Sequence, residues 1–314
     1  MLAAHRTYHH RHNRSRENSD PPNPSSIFTP LPRLISTNTT MPELPEVETV
    51  RRGISPHIEG KRLLGAHVRE PRLRWPVPED LDERVRDQMV VSLHRRGKYL
   101  LFELQGSNPG WLIAHLGMSG SLRLTTCSVP PAKHDHLDLV LEGGQCLRLH
   151  DPRRFGAMLW CASADIHPLI RTLGIEPLDA NFDRDVLYSL TRNKKTAIKT
   201  LLMDAHLVVG IGNIYANEVL FKAGIDPRLE AGKLSRPRCE RLVTAIKDTL
   251  TQAIAAGGSS LRDFVDGHGK PGYFQQNYFV YGRTEEPCRI CQHPIHHFVQ
   301  GGRSSFYCRT CQRR

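Results

Sequence analysis

Four of the chain's eight cysteines fall within its final 27 residues, spaced Cys288-x2-Cys291-x16-Cys308-x2-Cys311. Each Cys-x-x-Cys turn can aim two thiolates at one ion, and two such turns complete a tetrahedron, the spacing of paired zinc knuckles. Four sulfur ligands leave no open position for water or substrate. The pattern therefore implies one structural Zn2+ that holds a small module together. His293, His296 and His297 lie between the knuckles, but the cysteine set is already complete, so they read as surface or phosphate-facing residues. The other cysteines, Cys127, Cys146, Cys161 and Cys239, are scattered. That unevenness argues against a disulfide framework and for a reducing compartment with a local metal site. Gly301-Gly-Arg-Ser-Ser-Phe306 sits between the knuckles and reads as a hairpin tip presenting the cation of Arg303, with Arg289, Arg309, Arg313 and Arg314 around it.

A second candidate is Val209-Gly-Ile-Gly-Asn213, where two glycines precede a helix. Backbone N–H groups and Asn213 at such a helix start can bind a phosphate, although a plain tight turn between packed helices fits equally well. Lys194, Lys195 and Lys199 add cations just upstream and favour a nucleic-acid backbone. The whole-chain charge agrees. Residues 1–40 hold five Arg against Glu17 and Asp20, so +8 of the net +11 belongs to residues 41–314. An excess of that size suits a polyanionic partner better than an ordinary solvated surface.

These residues need elements to carry them. Residues 1–40 are rich in His, Arg, Ser, Asn, Pro and Thr, lack apolar periodicity and read as a disordered or non-native extension, with an organelle-targeting peptide as the alternative. From Pro45 to Pro56 the pattern is helical, with Val47, Val50 and Ile54 on one face and Pro56 expected to end the helix. Strand-like runs at 99–104, 111–115 and 137–141, separated by Gly-rich turns, predict an antiparallel sandwich or barrel. Helical spacing follows at 185–190, 196–204, 213–223 and 235–256, then a Gly-rich polar linker at 257–283. The expected class is α+β multidomain: a β-sandwich lobe at 41–165, a helical lobe at 166–282 and a zinc finger at 283–314. No run approaches the roughly 18 consecutive apolar residues of a membrane span. The chain is not expected to enter a membrane.

The start Met41-Pro-Glu-Leu-Pro-Glu-Val-Glu-Thr-Val-Arg-Arg-Gly53 resembles that of the bacterial formamidopyrimidine-DNA glycosylase family. The similarity continues through Arg95–Tyr99, His115–Gly120, Lys133–His136, Asp151–Gly156, Gly210–Glu218, Gly269–Tyr273 and the cysteine cluster, in order, over residues 41–314. The resemblance implies a β-sandwich lobe flanked by helices, a helix–two-turn–helix lobe and a β-hairpin zinc finger. It implies excision of 8-oxoguanine and ring-opened purines from damaged double-stranded DNA, cleavage of the abasic strand by β,δ-elimination, and a monomer working in the bacterial cytoplasm at the nucleoid.

The same resemblance assigns roles. Pro42 is implied to be the nucleophilic amine: a proline at a chain start is a secondary amine that can form an iminium with the opened sugar, whereas one inside a chain is an amide. Glu43 matches the acid–base carboxyl that assists ribose opening; by itself it is also a favourable charge near a helix start. Glu46 would orient the site. Lys98 matches the lysine credited with proton transfer during elimination, and Arg303 the finger arginine of the later elimination step. Met118, Arg153 and Phe155 match residues that fill the void left by an extruded base. Arg153 would also face the orphaned cytosine. His134, Arg154, Lys194, Lys195 and Asn213 are implied DNA contacts, and loop 257–275 would cover the lesion.

Forty residues precede Met41, and a Pro42 that stays acylated cannot be a nucleophile. The expected resolution is translation from Met41 with Met removal; proteolysis, or a lesion-binding protein without lyase activity, are the others. Two further functions compete. An endonuclease VIII type would favour oxidised pyrimidines, and a non-enzymatic zinc-finger protein would bind DNA without forming a covalent adduct.

Overall fold

The computed structural model describes residues 41–258 and 277–314. The tail 1–40 and nearly all of the expected lesion-covering loop, including Gly269–Tyr273, lie outside the described residues. Helix α1 (Leu44–Ile58) carries Pro45 in its first turn and buries Val47, Val50 and Ile54 as the periodicity predicts. It does not stop at Pro56. That residue lacks one backbone donor, but Glu59 N still bonds Ser55 O at 3.0 Å and Ile58 packs into the core, so the last turn survives.

Eight strands follow: β1 (Leu63–Val68), β2 (Met89–Arg96), β3 (Tyr99–Gln105), β4 (Gly110–His115), β5 (Ser121–Thr126), β6 (Asp135–Leu141), β7 (Gln145–His150) and β8 (Ala157–Cys161), with the short helix α2 (Leu81–Val85) after β1. They form two four-stranded antiparallel sheets, ordered β1-β6-β7-β5 and β2-β3-β4-β8. Leu137, Leu139, Leu141, Leu147 and Leu149 of the first share one core with Leu93, Leu100, Phe102, Leu104 and Leu112 of the second, and α1 closes it. This is a sandwich, in which alternate side chains of both sheets face inward.

Helix α3 (Pro168–Arg171) packs Ile170 against Leu101 and Ile113 of the second sheet. The helical lobe comprises α4 (Arg184–Thr191), α5 (Ile198–Leu202), α6 (Asn213–Lys222) and α7 (Arg236–Ala255). Its core gathers Leu187, Ile198, Leu202, Tyr215, Val219, Leu242, Ile246 and Leu250. Leu44 joins this core rather than the sandwich, so the first turn of α1 bridges the two lobes. The last module pairs β9 (His296–Gln300) with β10 (Arg303–Tyr307) across a Gly301-Gly302 tip in which both glycines have positive φ. Val280, Ile295 and Phe306 pack there against Phe221 of α6.

Candidate active site

Glu43 is the residue just before α1, and its carboxylate is buried. Leu44 N bonds Gly210 O at 3.0 Å, which places α1's first turn against the start of α6. Across that junction the Glu43 carboxylate accepts Gly212 N at 2.7 Å, Ile214 N at 2.9 Å and Tyr215 N at 3.3 Å. The sequence pattern suggests a phosphate at this helix start. Three of its amide donors instead hold an internal carboxylate, the same match of a negative group to orphan N–H groups and helix dipole. Both glycines are explained by this approach. A Cβ at Gly210 would come within 2.7 Å of Leu44, and one at Gly212 within 2.3 Å of the Glu43 carboxyl carbon.

Burial raises the pKa of Glu43 from 4.5 to about 7, opposed by the Lys98 cation and the amides of Ile214 and Gly212 and assisted by Glu46. Glu46 is also buried; it accepts Glu43 N at 2.9 Å and the Tyr215 hydroxyl at 2.7 Å. Pro42 is buried beside them in the chain. Lys98, in the β2–β3 turn, has its pKa lowered by burial and by the Arg303 cation, against the pull of Glu43 and Glu46. The structure thus brings Glu43, Glu46, Lys98 and Arg303, drawn from three modules, into one electrostatic neighbourhood.

The turn bearing Lys98 is held by a residue that carries no signal in the sequence. Glu176 accepts Arg95 Nη1 at 2.9 Å, Arg96 Nη1 at 3.1 Å and Gly97 N at 2.6 Å. Arg95 also bonds Glu48, and Arg96 bonds the carbonyls of Leu173 and Gly174. In the sequence Lys199 stands with Lys194 and Lys195 as one more basic residue. Those two are exposed, but Lys199 is buried and donates to Ser304 O and Ser305 Oγ, each at 2.7 Å. Burial and the Arg303 cation lower its pKa to about 8. Asn213 is half-buried, and its side-chain oxygen has no hydrogen-bond partner among the described residues.

Met118, Arg153, Arg154 and Phe155 come together with Arg72 and Arg74 around a cavity of about 500 Å³. Phe155 is exposed, unusual for its size, and the Arg153 guanidinium lies over its ring at 5.0 Å. Arg72 and Arg74 carry no sequence signal beyond their charge. His134 is half-buried and in edge contact with His136 and His150.

The ligand atoms of Cys288, Cys291, Cys308 and Cys311 all lie within 4.8 Å of one another. A tetrahedron with Zn–S near 2.3 Å has sulfur–sulfur edges of about 3.8 Å, so the four thiolates fit one zinc ion. The Cys291–Cys308 and Cys288–Cys311 separations of 3.3 and 3.9 Å bracket that edge. A zinc ion held by all four would be structural and would join the turn at Cys288 and Cys291 to the turn at Cys308 and Cys311 that follows β10.

A buried carboxylate poised near neutrality, a lysine of depressed pKa and the arginine of the cysteine finger lie beside an exposed cationic and aromatic edge, an arrangement of acid–base groups and cations that fits the class of enzymes acting on nucleic acid. Comparison with known proteins agrees. Residues 41–158 match the formamidopyrimidine-DNA glycosylase N-terminal domain, 173–265 the H2TH domain of the same enzyme, and 285–314 the zinc finger found in FPG and IleRS. The formamidopyrimidine-DNA glycosylase of Thioalkalivibrio sulfidiphilus is 56% identical over 274 residues, 87% of this chain and all of that one. The MutM (Fpg) crystal structure from Thermus thermophilus superposes with a TM-score of 0.78 at 37% identity, over 86% of this chain and 98% of its own. Wild-type Lactococcus lactis Fpg, solved with DNA containing N7-benzyl-Fapy-dG, gives 0.79 at 35%, over 87% and 100%. The chain belongs to the formamidopyrimidine-DNA glycosylase family.

Proposed function

We propose that this protein excises 8-oxoguanine and formamidopyrimidines from duplex DNA and then cleaves the abasic strand, with the ring nitrogen of Pro42 as nucleophile. The observation that carries the assignment of roles is the Glu43 carboxylate, buried next to Pro42, fixed by α6 amides and able to hold a proton near pH 7. The Pro42 nitrogen attacks C1′ as the glycosidic bond breaks, and the proton lost from that nitrogen leaves with the base. Glu43 then gives its proton to O4′, the C1′–O4′ bond breaks, and the Pro42 lone pair closes the iminium between its nitrogen and C1′. The iminium is an electron sink. Loss of the C2′ proton expels the 3′ phosphate, and a second elimination expels the 5′ phosphate. Lys98 moves protons in these steps, and Arg303 neutralises the departing phosphate.

Met118, Arg153 and Phe155 fill the space vacated by the damaged base, and Arg153 reads the opposing cytosine. His134, Arg154, Lys194, Lys195 and Asn213 hold the DNA backbone, with Lys194 and Lys195 exposed for it. No helix of the described residues is long and apolar enough to cross a membrane. We place the enzyme in the cytoplasm at the nucleoid, acting as a monomer.

The chemistry needs Pro42 to be the first residue, and two facts support that start. The family match begins at residue 41, and the Thioalkalivibrio relative aligns over its whole length. Protein prepared to begin at Pro42 should form a borohydride-stable adduct with a duplex carrying 8-oxoguanine opposite cytosine; protein whose Pro42 remains acylated should not. Absence of the adduct from the first preparation overturns the Pro42 assignment. Faster excision of thymine glycol would reassign the substrate to oxidised pyrimidines.

A further inference from the structure

The turns that carry the void-filling residues hang from one carboxylate that the mechanism does not use. Asp151, between β7 and β8, is fully buried. Its Oδ1 accepts Ser119 Oγ at 3.2 Å and its Oδ2 accepts Gly156 N at 2.7 Å. Ser119 follows Met118, and Gly156 follows Phe155, so one side chain grips both turns. The Asp151 backbone adds to the hold. Its carbonyl accepts Arg154 N at 3.1 Å and His136 Nε2 at 2.8 Å, and its N–H donates to His134 O at 2.9 Å.

The two turns also touch directly. A Cβ at Gly117 would lie 2.4 Å from the Phe155 carbonyl carbon, and one at Gly156 would lie 2.8 Å from His115 O. Between Arg153 and Phe155, Arg154 has a φ of 56°, a left-handed conformation that a non-glycine residue keeps only when its surroundings enforce it. The hydrogen bonds that enforce it here, Arg154 N to Asp151 O and Gly156 N to Asp151 Oδ2, both end on Asp151.

We propose that Asp151 is a positioning residue that makes Met118, Arg153 and Phe155 one rigid wedge, so that extrusion of the base depends on it and the chemistry at C1′ does not. The proposal rests on the reading of those three residues as void fillers. A wedge whose parts move independently cannot hold the gap open while the base leaves the stack. Two loops joined by a buried carboxylate enter together.

The test compares two reactions of protein beginning at Pro42: single-turnover excision of 8-oxoguanine opposite cytosine, and borohydride trapping at a preformed abasic site, which has no base to extrude. Asp151→Ala should slow excision about tenfold or more, while trapping stays within about threefold of wild type. Asp151→Asn keeps an oxygen for Gly156 N–H and an amide for Ser119 Oγ, and should restore excision. Wild-type excision by Asp151→Ala overturns the proposal. So does trapping that falls in step with excision, or an Asp151→Asn variant as slow as the alanine. If Asp151→Ala shows no cooperative thermal transition, Ser119→Ala, which cuts one arm only, takes its place under the same criteria with a smaller loss of excision expected. Phe155→Ala, run alongside, separates the two levels. Wild-type excision in that variant defeats the void-filling reading itself, whereas slow excision there beside normal excision in Asp151→Ala defeats only the positioning role.

Discussion

At the scale of single residues, the site turns on how burial and neighbouring charge set the proton affinities of Glu43 and Lys98. Burial disfavours the charged carboxylate and raises Glu43 to about 7, while the Lys98 cation works the other way. In the proposed mechanism Glu43 must be protonated to donate to O4′, so formation of the iminium should slow as pH rises through about 7. Lys98→Met removes the cation that lowers the Glu43 pKa, and the alkaline limb should move to higher pH. The pH profile of the single-turnover rate of borohydride trapping on lesion duplex measures this; a limb that stays in place would mean that another group titrates there. The amides that hold Glu43 are not legible in the sequence. Met41–Gly53 and Gly210–Glu218 are each conspicuous, but the glycines fit a phosphate cradle as well as a turn. That they make room for Leu44 and the Glu43 carboxyl follows only once residues 169 to 172 positions apart are seen together.

At the scale of elements, short-range signals are legible in the sequence and long-range ones are not. The strands at 99–104, 111–115 and 137–141 and the helix at 235–256 follow from local periodicity and lie close to β3, β4, β6 and α7. The helix expected at 196–204 is five residues long, because Ile198 N and Lys199 N turn to the carbonyls of Leu229 and Pro227, and Ala197 bridges Glu230. By sequence alone Lys199 is one more cation of a basic run. Its position on α5, beneath the hairpin, is what buries it and joins helical lobe to finger through Ser304 and Ser305. A lysine whose folded pKa of about 8 lies below the ordinary 10.5 binds fewer protons folded than unfolded between those values. Its contribution to stability therefore rises as pH climbs from about 8 to 10.5. Thermal melts across that range should show wild type gaining on Lys199→Met. The same variant, measured at neutral pH, should lose the second elimination more than base release, because Arg303 precedes Ser304 on the freed strand. Parallel melting curves would refute the titration, and equal loss in both steps would refute the link to Arg303.

At the scale of the whole molecule, three modules with separate cores must bring their charges to one duplex. The excess of +8 on residues 41–314 makes binding salt-dependent, with a slope that counts the phosphates neutralised. The finger has the least apolar material: beside its metal cysteines, its core has Val280, Ile295 and Phe306, and it borrows Phe221 from α6. A module this small depends on its metal for order, as zinc binding and folding are coupled in such sites. The sandwich and helical lobes have large cores of their own and no such dependence. Cys308→Ser should therefore release the zinc and disorder the hairpin while the main thermal transition persists. Affinity for lesion duplex should fall about tenfold or more, and the salt slope should become shallower by roughly one unit for each phosphate that the finger no longer neutralises. Zinc content by metal analysis and binding across a salt series measure the two effects together. A variant that loses its zinc yet keeps both affinity and slope would show that the finger does not touch the DNA, and Arg303 would then have to leave the mechanism.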